Sequence, residues 1–347
     1  MSQRSTPRRV TLADVAQRAG VSQATASKVL NGRSDVSART REHVLRIVTE
    51  TGYQPTSIRH KKTRPQALVT VLDFAASRYA GTVLQSILTT ATAMDTELLL
   101  HLPPDRPTGT SRAAAHAWVA AQRSAGTAGV IGLAVAIPDP VLDAARDLEL
   151  PVVAIDPIDT MDSRVVSIGS TNWAGGRSAT EHMVGLGHRN IAWIGGPLKS
   201  APSAERFHGY RTALDDADIA LAPALVHHGA FTVGTGFQRG RALLSSAEPP
   251  TAIVAGNDEI AIGVLAAAKE LGVDIPRELS VSGFDDTPQT EWTTPSLTSV
   301  RQPLDGMGRM AVETVLGMAE GVQPASRHLQ LATTLNVRES TGPVPQG

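Results

Sequence analysis

The chain has 347 residues, 41% hydrophobic but only 3% aromatic, so any sizeable core must be built from Ala, Val, Leu and Ile. It contains no cysteine, which excludes a disulfide framework and thiolate metal sites. Its formal net charge of −1 conceals a division, because residues 1–64 carry 13 Lys/Arg against 4 Asp/Glu and the remainder 19 against 29. A basic head on an acidic body suits a polyanionic partner at one end only.

In chain order, the first predicted elements are three short helices. Thr11 and Asp14 have capping-box spacing for a helix whose apolar stripe is Leu12, Val15, Ala16 and Ala19. Gly20 breaks it, Val21 anchors the turn and Ser22 caps a second helix. On that helix Ala26, Val29 and Leu30 face inward, while Gln23, Ala24, Ser27 and Lys28 point outward. Asn31-Gly32 closes it, since both residues tolerate the left-handed conformation. A third helix is predicted with Ser37 as its cap and Val44, Leu45, Ile47 and Val48 as its buried side, ending before Gly52. Such a trihelical unit with a polar second helix fits the DNA major groove.

Pro55 and the basic segment RHKKTR (59–64) then read as a linker running to Pro65. Beyond it, short apolar strands alternate with helical stretches, the pattern of a parallel sheet wrapped by helices. Strands are predicted at Ala67–Leu72, Glu97–Leu102, Gly129–Leu133, Val152–Ile155, Asn190–Ile194, Ala252–Ala255 and Ser280–Gly283. Helices are predicted at Thr82–Met94, Ala113–Ala125, Asn172–Leu186, Glu205–Ala217, Thr235–Ser246 and Glu259–Glu270. About 280 residues of such units suit two sub-domains with a cleft between them. The junctions Gly195-Gly196-Pro197 and Gly256-Asn257-Asp258 follow strands, where open α/β sheets bind ligands.

The head carries VTLADVAQRAGVSQATASKVLNG, DVSARTREHV and GYQP. The body carries TNWAGGRSATEHMVGLGHRNIAWIGG, SAERFHGYRTAL, TAIVAGNDEIAIGV, LSVSGFDDTP and TTPSLTSVRQPLDGMGRMA. In these blocks and their order the chain resembles the LacI/GalR family of bacterial transcription repressors over nearly its whole length. The resemblance implies an all-α helix-turn-helix head (1–54), a hinge (55–65) and a periplasmic-binding-protein-like α/β body (66–344). That body would hold two Rossmann-like sub-domains, about 66–170 with 302–331 and about 171–301 with 332–344. It also implies a homodimer on a pseudo-palindromic DNA operator, and a small-molecule effector, expected to be a sugar, without any cofactor.

The sequence departs from the family pattern at Lys28, where Arg is usual, and at Ala26, where Val is usual. In the hinge, Thr56 follows Pro55 and Lys62 stands where an apolar Leu wedge is usual. A charged side chain does not pry a base step apart, so this hinge is expected to grip phosphates.

By the same resemblance Gln23 and Ala24 begin the base-reading face of the second helix. Gln suits adenine, Ala a thymine methyl and Lys28 guanine, the alternative being an ordinary solvated helix face. Ser22, Thr25 and Ser27 would contact phosphate or serve locally, and Thr11, Asn31, Arg59 and Lys62 complete the expected DNA-contact set. For the cleft, the matched blocks place Asp156, Arg206, Asn257, Asp285 and Gln302 near the ligand, with Phe231 as its aromatic face and a structural salt bridge as the alternative for Arg206 and Asp285. Ser77 and Tyr79 would face the same cavity. Asn172 would bond either ligand or backbone, and Trp173 is either a ligand contact or plain packing. Asp286 is expected to support its loop.

Enzyme readings find no inventory. No Walker A or GxGxxG opens a helix after a strand, and the ten histidines show no HExxH-type spacing. No apolar run approaches the roughly 18–20 residues that span a bilayer. The basic N-terminus lacks the apolar stretch of a secretory signal. A soluble, cytoplasmic protein with no membrane partner is therefore expected. The competing readings are a co-repressor binding a sugar phosphate or purine, and a pure solute-binding protein.

Overall fold

The computed structural model describes residues 11–30, 36–51, 66–71, 77–102, 111–159 and 164–345. The chain divides between Arg64 and Pro65 into two units. In the first, α1 (Leu12–Arg18), α2 (Gln23–Leu30) and α3 (Ala38–Thr51) surround a small core. Val15, Ala16, Ala19, Ala26, Val29 and Val44 are buried there, with Val21, Val36, Ile47 and Val48 packed around them.

Local chemistry fixes where each helix starts. The Thr11 amide donates to Asp14 Oδ2 at 2.7 Å, and the Asp14 amide donates back to Thr11 Oγ1 at 3.3 Å, completing a capping box. Gly20 takes φ +60° in the turn, where a Cβ would strain the backbone. Ser22 Oγ accepts from the Thr25 amide at 3.0 Å, and Ser37 Oγ from that of Thr40 at 3.2 Å. Leu45 is not on the buried side as expected but 46% exposed. Val44, Ile47 and Val48 already complete the i, i+3, i+4 stripe, and Leu45 falls a quarter-turn outside it. The side chains of Leu12, Ser27 and Leu30, and residues Asn31, Gly32, Gly52, Pro55, Thr56, Arg59 and Lys62, lie outside the described residues.

The second unit contains two six-stranded sheets. The first runs β11 (His328–Leu331), β5 (Val166–Ser170), β4 (Val152–Ile155), β3 (Thr127–Leu133), β1 (Gln66–Val71) and β2 (Thr96–His101), all pairs parallel. The second runs β12 (Thr334–Asn336), β10 (Thr298–Arg301), β9 (Ser280–Asp285), β8 (Ala252–Ala255), β6 (Ile191–Gly195) and β7 (Val226–His228). Only β12 there pairs antiparallel. Helices cover both faces of each sheet, which is why β3, β4, β6 and β8 are apolar at successive residues instead of alternating.

In the first half, α4 (Arg78–Ala93) and α11 (Leu304–Ala319) pack against Leu68, Ile131, Ile155 and Ile168. On the opposite face α5 (Arg112–Ala125) and α6 (Asp139–Asp147) cover Val69, Val130 and Val152. The second half pairs α7 (Asn172–Gly185) with α8 (Ala201–Asp216) over Trp193, Val254 and Val300. Across the sheet, α9 (Val233–Leu244) and α10 (Asp258–Leu271) cover Ile194, Ile253 and Val281. The chain passes between the halves after β5, after β10 and after β11.

All seven predicted strands and all six predicted helices are present, with ends shifted by a few residues. Helix α4 starts four residues before its predicted first turn, because Ser77 Oγ accepts from the Ala80 amide at 3.0 Å and caps it there. Missing from the sequence reading were α6, α11, β5, β7, β10, β11 and β12. The strands among them are three to five residues long and, unlike the equally short β4 and β8, are not unbroken apolar runs.

Candidate functional site

In the head, α2 presents Gln23, Ala24 and Lys28 to solvent, with Ser22 exposed and Thr25 half-buried. The hydroxyls of Ser22 and Thr25 lie 2.8 Å apart, and Thr11 Oγ1 donates to Asp14 Oδ2 at 2.7 Å. These hydroxyls hold helix starts, and Gln23, Ala24 and Lys28 are exposed beside them.

In the body, a cavity of about 190 Å³ opens between the two halves at the C-terminal ends of the parallel strands. The first half contributes Ser77, Arg78 and Tyr79 at the start of α4, Ala134 after β3, and Asp156 and Ile158 after β4. The second contributes Pro197, Ser200, Pro202, Arg206, Phe231, Asn257, Asp258, Glu259, Asp285 and Thr287. Three of the strand ends turn with positive φ at non-glycine residues: Ala134 (+49°), Asp156 (+43°) and Asp285 (+107°). Such strain persists only where the surroundings over-determine the backbone.

Arg206 organises the second-half wall. It is 4% exposed, and its guanidinium lies 3.8 Å from the centroid of the Phe284 ring. Its Nε donates to Asn172 Oδ1 at 2.8 Å, and Nη1 donates to Gly256 O at 2.8 Å and Asp285 Oδ1 at 3.3 Å. Gln302 Nε2 donates to the same carboxylate oxygen at 2.6 Å, while Ser170 Oγ donates to Gln302 Oε1 at 2.6 Å. Asn172 and Gln302 thus stand behind Arg206 and Asp285 and do not line the cavity. Asn257 spends its amide oxygen on the Ile260 amide (3.0 Å), capping α10. On the first-half wall the Tyr79 hydroxyl donates to Asp156 Oδ2 at 2.7 Å.

The walls are rich in carboxylates. Burial pushes Asp285 up to about 7, against the opposing pull of Arg206 and Gln302. Burial likewise raises Asp156, again against Arg206, and raises Asp258, with the charge of Asp285 adding to it. The Tyr79 hydroxyl is raised by burial and by the carboxylate of Asp156 beside it. Two bonds join the halves at the rim: the Arg78 amide donates to Glu259 Oε1 at 3.2 Å, and the Ala201 amide to Ile158 O at 2.9 Å.

Of the ten residues expected in the cleft, seven line it: Ser77, Tyr79, Asp156, Arg206, Phe231, Asn257 and Asp285. Trp173 does not. It is 41% exposed on α7, with the Arg177 guanidinium 5.5 Å from its ring. Being adjacent to Asn172 on a helix, it points about 100° away from the Arg206 cluster. Asp286 supports its loop, held by Arg338 and Asn336. Nine further residues line the cavity: Arg78, Ala134 and Asp258 directly beside an expected residue or strand end, Thr287 two residues past Asp285, and Ile158, Pro197, Ser200, Pro202 and Glu259 in the turns and helix starts that follow the strands. Among the described residues no cluster of His, Asp and Glu is arranged to hold a metal ion, and no helix is long and apolar enough to cross a membrane.

Comparison with known proteins adds two family matches. Residues 11–56 match the family described as bacterial regulatory proteins, lacI family, and residues 180–341 match the periplasmic binding protein-like domain. The HTH-type transcriptional regulator CelR of Thermobifida fusca is 32% identical over 96% of this chain and 98% of its own length. The lactose operon repressor of Escherichia coli is 30% identical, over 96% and 91%. A solved CelR–cellobiose complex superposes with TM-score 0.69 at 29% identity, covering 96% of this chain and all of that one. A lac repressor dimer bound to operator and an anti-inducer gives TM-score 0.69 at 27% identity, again covering 96% and 100%.

Proposed function

We propose that this chain, which belongs to the lacI family of bacterial regulatory proteins, is a DNA-binding transcriptional repressor released by a small neutral sugar. The observation that carries this reading is the pair Arg206 and Asp285, held from behind by Gln302, opposite Tyr79–Asp156 and with Phe231 beside it. Fixed planar donors and acceptors suit vicinal hydroxyls, and an aromatic face suits the C–H side of a sugar ring. Even with burial favouring the neutral forms of Asp258 and Asp285, Asp156 and Glu259 balance Arg78 and Arg206 around the cavity, so its wall has no excess of positive charge for a phosphorylated ligand. Among similar proteins, CelR has been solved with cellobiose, which makes that disaccharide the first ligand to try.

In the mechanism, α2 enters the major groove, with Gln23, Ala24 and Lys28 on base edges and Ser22, Thr25 and Ser27 on the backbone. Residues 55–65, including Arg59 and Lys62, serve as a phosphate-gripping hinge, and the protein works as a cytoplasmic homodimer without catalysis of its own. Only a ligand that binds the released state more tightly shifts the balance, so the sugar must prefer the conformation with low operator affinity.

Thermal unfolding of the full chain against neutral sugars, sugar phosphates and purines tests the assignment. A binding sugar is expected to add about 2.7 kcal/mol of stability at a hundred times its Kd. Stabilisation by a phosphate ester or a purine, with no response to neutral sugars, would overturn it. Lys28→Ala is expected to weaken operator binding by about 1–3 kcal/mol and to relax one base position. An equal loss on every operator variant would make Lys28 a phosphate contact only.

A further inference from the structure

The aspartate that meets Arg206 sits in a strained turn whose local side-chain support is the Thr290 hydroxyl, which donates to Asp286 Oδ1 at 3.2 Å. Asp285 has φ +107° and Asp286 has φ +54°, so two consecutive non-glycine residues occupy the region that L side chains avoid. Something outside the turn must hold it.

The end of β12 and the segment that follows it do so. Arg338 Nη1 donates to Asp286 Oδ1 at 2.7 Å and also to Leu297 O at 2.7 Å. Asn336 Nδ2 donates to the other oxygen of Asp286 at 2.6 Å, so the carboxylate is gripped from both sides by one short segment. The side chains of this ion pair are 17% and 8% exposed, which removes most of the screening that weakens surface pairs. On the far side of the turn Asp258 takes over. Its Oδ2 accepts the Thr287 amide at 2.7 Å and the Thr287 hydroxyl at 2.9 Å, and its Oδ1 accepts Ser299 Oγ at 2.5 Å. Ser299 Oγ in turn receives the Asp286 amide at 3.1 Å.

We infer that Arg338, with Asn336, is a positioning residue for the effector site: it holds the Asp285-Asp286 turn in its strained form and so aims the Asp285 carboxylate at Arg206. Arg338 does not line the cavity. Its action reaches the ligand only through the turn, which gives residues about fifty positions downstream control over effector affinity. This rests on the reading of the cavity as the effector site.

The test compares hydrogen exchange in the full-length wild-type, Arg338→Met and Arg338→Lys proteins, followed peptide by peptide. In Arg338→Met, exchange of the 285–287 amides is expected to rise at least tenfold, with β6 and β8 unchanged. Arg338→Lys, which keeps a cation beside Asp286, is expected to restore most of the protection. Unchanged exchange at 285–287, or a rise spread evenly over the second sheet, would overturn the inference. Cellobiose is titrated against the same proteins. If it binds the wild type, its affinity is expected to fall at least tenfold in Arg338→Met, and an unchanged affinity would overturn the inference. If it does not bind, the sugar reading loses its first candidate while the exchange result still decides the role of Arg338.

Discussion

Replacing Arg206 by methionine is expected to cost about 3–5 kcal/mol of folding stability at pH 8 and to abolish the ligand response. Arg206 is 4% exposed, and its guanidinium serves Asn172, Gly256 and Asp285 at once. Methionine fills most of the volume against Phe284 and Phe231, so the loss is chiefly electrostatic. It strands the buried carboxylates Asp156 and Asp285, both of which Arg206 now stabilises in their charged forms. The sign of the pH dependence follows. Asp285 titrates at about 7 in the folded protein, against an ordinary value of 3.8. Its contribution to stability is therefore fully present below about pH 4 and is lost as pH rises towards 7. Without Arg206 the folded value climbs further, so the penalty keeps growing above pH 7. Urea unfolding of the two proteins at pH 5 and pH 8 checks this. The difference between them should be smaller at pH 5, where the stranded carboxylates take up protons. Equal differences at both pH values would mean that Arg206 acts through packing and not through charge.

Much of this site could be read from the sequence because its residues sit at strand ends, and strand ends are announced by apolar runs that stop at Gly, Asn or Asp. Asp156 follows VVAI, Asn257 follows AIVAG and Asp285 ends SVSGF. What stayed illegible was of another kind. The sequence puts Gln302 near the ligand and leaves Asn172 open between ligand and backbone, whereas both stand behind the residues that line the cavity, because a one-dimensional pattern does not distinguish a first contact from its support. For Trp173 the sequence leaves ligand contact and packing open, and the helix decides, since a residue adjacent to Asn172 on α7 faces away from the Arg206 cluster. Arg338 left no signal at all. Its importance comes from the backbone strain at Asp285 and Asp286, which depends on a partner some fifty residues away. In the head, capping chemistry is local, so Thr11, Ser22 and Ser37 were read correctly, whereas Leu45 required knowing how full the small core already is.

The second large effect is expected at a residue with no chemistry of its own. Gly209→Ala would ordinarily stabilise a helix interior by up to about 1 kcal/mol. Here the added methyl would fall onto the carbonyl oxygen of Trp173 and 2.6 Å from the Arg177 amide nitrogen, both main-chain atoms of α7. Gly176 on α7 returns the contact, facing the backbone of Arg206 on α8. Neither backbone can turn aside as a flexible side chain would, so the helices must separate. Overpacking of this kind costs about 1–3 kcal/mol even where side chains can adjust, and the value here is expected at or above the top of that range. The same displacement carries function. Gly209 lies one turn beyond Arg206, and α7 supplies Asn172 to hold the guanidinium at 2.8 Å. A shift of a few tenths of an ångström between α7 and α8 therefore lengthens that bond and swings Arg206 away from Asp285. Gly81→Ala on α4, where a methyl meets nothing within 4 Å, supplies the control. The expected result is a lowered Tm and weakened ligand response in Gly209→Ala, with Gly81→Ala as stable as the parent or slightly more so. Should Gly209→Ala unfold at the parental temperature and keep full ligand affinity, the two helices are not packed backbone to backbone and the rigidity ascribed to the Arg206 wall is lost with them.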